Sequence, residues 1–144
     1  MSLLEELSNP HSVTEILENY YDEFMTYSSI HNNPDYNITP NEMIALQTKE
    51  LLAYKRYGFL RGLNTGRVYS KVESITLDRQ LGINLNNTVP LGIILKQFNH
   101  SRENIYAKSV SEQDEAGNDI IFRITARLWV NEQPVALVKE WIYG

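Results

Sequence analysis

The stretch Ile120-Ile-Phe-Arg-Ile-Thr-Ala-Arg-Leu-Trp-Val130 constrains the fold of this chain more than any other. Side chains alternate across a strand, so Ile120, Phe122, Ile124, Ala126, Leu128 and Val130 share one almost wholly apolar face. That face needs a cover. The odd positions Arg123, Thr125 and Arg127 are assigned to solvated surface. Turn chemistry recurs at Asn64-Thr65-Gly66, Asp114 to Asn118 and Asn131 to Pro134. Together with the period of two it predicts strands near residues 51–60, 67–75, 104–110, 120–130 and 135–143, joined mostly as antiparallel hairpins.

The first third reads differently. A small polar residue precedes a Glu by three positions at Ser2/Glu5, Ser12/Glu15 and Thr39/Glu42, the last with Pro40 in the first helical slot. This is the signature of a capped helix start, and three helices are predicted. The middle one carries a stripe of Val13, Ile16, Leu17, Tyr20 and Phe24 at helical spacing, which needs a partner surface. Ser28 to Asn37 is polar, rich in Asn and Ser, and interrupted by Pro34, and is expected to be a loop. Between the second and third strands, Pro90-Leu91-Gly92 opens a short apolar helix-like turn. Helices before strands give an α+β class: an antiparallel β-sheet with helices packed on one face. The 144 residues suffice for a single domain, 1–144, that buries roughly 70% of its unfolded surface.

Charge and cysteine content narrow the function classes. Thirteen basic against eighteen acidic side chains leave a net charge of −5, so nucleic acid is not an expected partner. A single pocket can still be locally positive and take an anion. The absence of Cys removes disulfides, thiol nucleophiles and thiolate metal sites. The first residues have no basic and apolar leader, and the longest mostly apolar run, Val89 to Leu95, is too short for a bilayer. A soluble, cytoplasmic protein without a membrane partner is expected. His11, His31 and His100 have no ligand spacing, and neither a phosphate-cradling Gly motif nor a GxSxG turn is present.

Two charged residues interrupt apolar strand faces. Glu140 shares its face with Ala136, Val138 and Ile142, and a buried Glu needs a partner or a raised pKa. Arg56 shares a face with Leu52, Tyr54, Gly58 and Leu60, where Gly58 leaves space beside it. A guanidinium keeps its charge when desolvated and donates two parallel hydrogen bonds to a carboxylate. The pattern leaves two readings open: both groups face one ligand cavity, or they form an internal ion pair with no ligand.

The chain resembles chorismate lyase (chorismate pyruvate-lyase) and its shorter relatives nearly end to end. The likeness rests on Ser12-Val13-Thr14, Tyr54-Lys55-Arg56, Pro90-Leu91-Gly92, Gln133-Pro134 and Val138-Lys139-Glu140 in that order. It implies elimination of pyruvate from chorismate to give 4-hydroxybenzoate, with no metal or organic cofactor and a small-molecule substrate, in a monomer or homodimer. By the same likeness Arg56 would hold the ring carboxylate, helped by the backbone N–H groups of Val13 and Leu91. Glu140 would act as acid or base at the oxygen-bearing end, and Lys71 matches a further basic position. Ligand-sensing domains of GntR-type transcription regulators share this fold, which gives the alternative: a non-catalytic binding domain for a small aromatic carboxylic acid. No winged-helix segment is seen ahead of the domain, which favours a standalone binder within that alternative.

Overall fold

The structure is a computed structural model that describes residues 2–77, 91, 95 and 98–144. Its strands are β1 (Met25–Asn37), β2 (Leu52–Gly62), β3 (Val68–Thr76), β4 (His100–Gln113), β5 (Asp119–Val130) and β6 (Gln133–Tyr143). They form one antiparallel sheet in the order β1-β2-β3-β6-β5-β4. The turns fall where the sequence places them. Between β5 and β6 the chain reverses through Asn131 and Glu132, whose φ values of 51° and 67° suit the twist of a tight hairpin. Between β4 and β5 the Asp114 carboxylate accepts from the amides of Ala116 and Asn118, and Gly117 supplies the left-handed step at φ 85°.

Two strands depart from expectation for one physical reason. Ser28 to Asn37 is no loop but most of β1, paired with β2. Its register breaks between Ser29 and His31 and again between Asn33 and Tyr36, which scrambles the alternation. Pro34 falls inside the second break on an edge strand, where its missing N–H costs no ladder bond. Strand β4 starts at His100, four residues before the expected Asn104, and carries breaks at Asn104/Tyr106 and Ser109/Glu112.

Three helices, α1 (Leu3–Leu7), α2 (Val13–Tyr21) and α3 (Pro40–Leu46), begin at the predicted caps. The hydroxyls of Ser2 and Ser12 accept from the amides of Glu5 and Glu15, and Thr39 and Glu42 form a reciprocal capping box. Helix α2 stops at Asp22 in the left-handed region, φ 51°, so Val13, Ile16 and Leu17 are buried while Phe24 stays 72% exposed. The apolar stripe is therefore shorter than the sequence suggests.

Helices α1 and α2 pack with Phe122, Ile124, Ala126 and Ile142 on the inner sheet face. Leu91 and Leu95, both helical, join Leu128, Val130 and Val138 farther along that face. The rest of the Pro90-Leu91-Gly92 turn lies outside the described residues. The antiparallel α+β architecture stands, but α3 departs from the one-face arrangement. It packs its Leu46 with Ile75 and Leu137, which occupy the opposite phase of the strand alternation. Arg127, expected in solvent, donates to the Ala45 carbonyl at the end of α3 at 2.8 Å and to Glu103 at 2.6 Å. A cation at a helix C-terminus satisfies carbonyls that have no intrahelical donor.

Candidate functional site

The sheet brings side chains of all six strands to one place. Arg56 on β2 lies opposite Ser74 on β3, Ser74 opposite Val138 on β6, Val72 opposite Glu140, and Leu128 on β5 opposite Arg102 on β4. The first residues of α2 and the buried Leu91 complete the walls. They line a partly open cavity of about 60 Å³, room for several waters when one needs about 10–15 Å³. The space between Arg56 and Glu140 is thus not filled with hydrocarbon.

Arg56 is 1% exposed and its guanidinium lies 4.1 Å from the centre of the Tyr27 ring. Gly58 makes this possible: a Cβ there would collide with the Tyr27 ring and the Ser28 carbonyl. The space beside Arg56 is therefore taken by an aromatic face, a favourable seat for a desolvated cation. Burial pulls the Arg56 pKa below its usual value, and Tyr27 works in the opposite direction. Burial likewise raises the Tyr27 hydroxyl, against the pull of Arg56.

Glu140 is 4% exposed and takes its charge partner from β4: Arg102 Nη2 donates to Oε1 at 2.9 Å. Its Oε2 has no hydrogen-bond partner among the described residues, and Glu140 lines the cavity. The internal-pair reading is corrected accordingly, since the carboxylate's partner is Arg102 and not Arg56. Arg102 is held in turn by Asn104, whose Oδ1 accepts from Nε at 3.2 Å. At the α2 start, the Ser12 side chain is engaged by the Glu15 amide, which leaves the amides of Val13 and Thr14 in the cavity wall without intrahelical acceptors. Amides at a helix start sit at the positive end of its dipole and suit an anion.

Of the sequence-predicted residues, Arg56, Glu140, Val13 and Leu91 all line this cavity. Lys71 does not. It lies opposite Phe59 and Trp141 on the outer sheet face, 4.5 Å over the Trp141 ring, and lines a different groove with Tyr57 and Arg123. Strand alternation puts Lys71 on the same face as Glu73, and the ladder keeps it there. The cavity also contains Arg102, His100, Ser74 and Tyr27, which sequence reasoning missed. The signal for Arg102 was the alternation His100, Arg102, Asn104, hidden because the break at Ile105 shifts the phase of everything after it.

No protein-family model matches the chain, and no curated protein matches it. Solved structures do. PhnF from Mycobacterium smegmatis superposes with a TM-score of 0.71 at 8% identity, over 94% of this chain and 65% of that one. The chain shares that fold. The effector domain of PhnF alone gives a TM-score of 0.70 at 8% identity, over 94% of this chain and 90% of that domain. The C-terminal domain of the histidine utilization repressor from Pseudomonas syringae gives 0.62 at 11% identity, over 83% and 92%. This chain therefore spans just under two thirds of full-length PhnF and nearly all of its effector domain. The fold that PhnF, its effector domain and the repressor domain share with this chain is of the chorismate lyase-like α+β kind. Among the described residues no helix is long and apolar enough to cross a membrane.

Proposed function

We propose that this domain binds a small aromatic carboxylic acid without transforming it. One observation carries the reading: a partly apolar cavity bordered by a 1% exposed guanidinium and by the first amides of α2. Arg56 would take the carboxylate in its planar fork, the α2 start would complete the anion's hydrogen bonds, and Leu60, Val72, Leu128 and Val138 would enclose the ring. The likeness to regulator effector domains supports binding over catalysis. Titration calorimetry with 4-hydroxybenzoate tests it. We expect saturable binding that weakens by about 2–5 kcal/mol in Arg56→Ala while the fold is retained. Absence of binding at millimolar acid, or unchanged affinity in Arg56→Ala, overturns the proposal.

The lyase reading rests on a narrower observation: Glu140 borders the cavity, and the hydrogen bond of its carboxylate among the described residues is the one to Arg102 through Oε1. A carboxylate so placed could move the proton lost when the ring becomes aromatic. Incubation with chorismate decides between them: pyruvate release that Glu140→Gln suppresses would establish the lyase, and its absence alongside acid binding leaves the binder.

A further inference from the structure

Two walls of the cavity are fastened to the same short piece of chain. The amide nitrogen Nδ2 of Asn104 donates to the Asn9 carbonyl at 3.1 Å, while Oδ1 of the same side chain accepts from Arg102 Nε at 3.2 Å. Asn9 belongs to the turn between α1 and α2, where its carbonyl also accepts from the His11 amide at 2.8 Å. Three residues on from Asn9, the cavity wall begins at Ser12. One asparagine thus joins the turn to a cavity guanidinium, and that turn leads directly into the helix start lining the opposite side.

Asn104 reaches both because of where it sits in β4. It pairs with Ala126 on the inward phase, in the last position before the register break at Ile105. Arg102 holds the same phase one step earlier, so the two side chains are neighbours on one face. An amide suits the position because it offers an acceptor toward the guanidinium and a donor toward the carbonyl from a single planar group. The chain Asn9, Asn104, Arg102, Glu140 is continuous in hydrogen bonds.

We propose that Asn104 is a positioning residue that couples occupancy of the cavity to the order of the α1–α2 turn. This rests on the binding reading above. An acid held by Arg56 and the α2 start fills the cavity that Arg102 also lines, so it bears on both ends of the chain and the turn between them loses freedom. By reciprocity, a turn already held improves the binding of the anion. The coupling needs the donor half of Asn104, and the placement of Arg102 needs the acceptor half.

Hydrogen exchange separates the halves, with 4-hydroxybenzoate as the probe and residues 3–12 as the readout. In the unaltered protein, saturating acid should slow exchange across residues 3–12 by about fivefold or more, the lower end of ordinary coupling. Asn104→Ala should remove that slowing and weaken binding by about fivefold or more, the reciprocal of the coupling it abolishes. Asn104→Asp keeps an acceptor for Arg102 but turns an oxygen toward the Asn9 carbonyl. It should therefore retain the fold and an acid-binding cavity and lose the slowing, which keeps the test usable if the alanine variant fails to fold. Binding with no slowing, or slowing that persists in Asn104→Asp, overturns the coupling and leaves the binding reading intact. Absence of binding in the unaltered protein overturns both.

Discussion

Two carboxylates are buried among the described residues, and they are buried for opposite ends. Glu23, just past the end of α2, is saturated: Oε1 accepts from the amides of Asn64 and Thr65, and Oε2 from the hydroxyls of Thr65 and Tyr69. Gly62 is kept bare for it, since a Cβ there would strike the carboxylate. Glu140 has one oxygen on Arg102, while the other has no partner among the described residues and the side chain borders a cavity. A carboxylate whose lone pairs are all used stabilises a turn. One left partly unused beside a void is available to something that arrives. Burial and charge alone do not distinguish these cases. The count of donors does.

The largest break in this comparison comes from replacing each by its amide. Glu23→Gln presents an NH2 to donors that have nowhere else to turn, so the thermal midpoint should fall by several degrees with acid binding unchanged. A midpoint that stays put would mean the β2–β3 turn does not depend on Glu23. The same site should contribute to acid sensitivity. The Thr65 amide, followed by the Tyr69 and Thr65 hydroxyls and the Asn64 amide, holds the Glu23 carboxyl below 4.5 against the opposing push of burial. As pH falls, the unfolded chain binds its proton first. The stability from Glu23 is therefore complete above about 4.5 and lost as pH drops through the depressed folded value. Glu23→Gln should flatten that part of a stability–pH curve, and an unchanged slope would contradict the assignment.

Glu140→Gln should act in the other currency, affinity. The amide oxygen can still accept from Arg102, so the fold survives, while a negative charge leaves the cavity wall. Calorimetry should show 4-hydroxybenzoate bound severalfold more tightly. Weaker binding would mean that the ligand donates a hydrogen bond to Glu140, and would draw this carboxylate into ligand recognition.

The same contrast explains what the sequence made legible. Arg56 and Glu140 stood out because charges interrupt apolar alternation in strands whose period is intact over the relevant residues, and both border the cavity. Helix starts were readable because capping is written in residues three apart. Arg102 and the whole of β1 were not readable, since a register break shifts the phase of all that follows and leaves no mark in composition. Glu23 was invisible for a different reason. Its partners lie more than forty residues away, in the β2–β3 turn and at the start of β3, and nothing in the surrounding sequence marks a carboxylate that will be surrounded by donors.

Tyrosines give the smallest and finest test, because they meet carboxylates in one region and a guanidinium in the other. Tyr143 donates to Asp114 and Tyr36 to Glu42, and burial followed by those acidic partners pushes each hydroxyl up to about 12. Tyr27 in the cavity is raised by burial too, but Arg56 pulls against the rise. Between the unfolded value of 10.0 and about 12, the folded state keeps protons that the unfolded chain has released. Stability from Tyr36 and Tyr143 is therefore intact below that window and lost as pH rises through it. Tyr143→Phe should lose the Asp114 contact and soften the alkaline decline slightly, as followed by denaturant midpoints from neutral pH upward. Tyr27→Phe should leave that decline nearly as it was and instead alter acid binding, because Tyr27 borders the cavity and the substitution removes its hydroxyl while keeping the ring that seats Arg56. If both variants changed the alkaline limb alike, the distinction between a saturated structural region and an open binding region would not extend to their tyrosines.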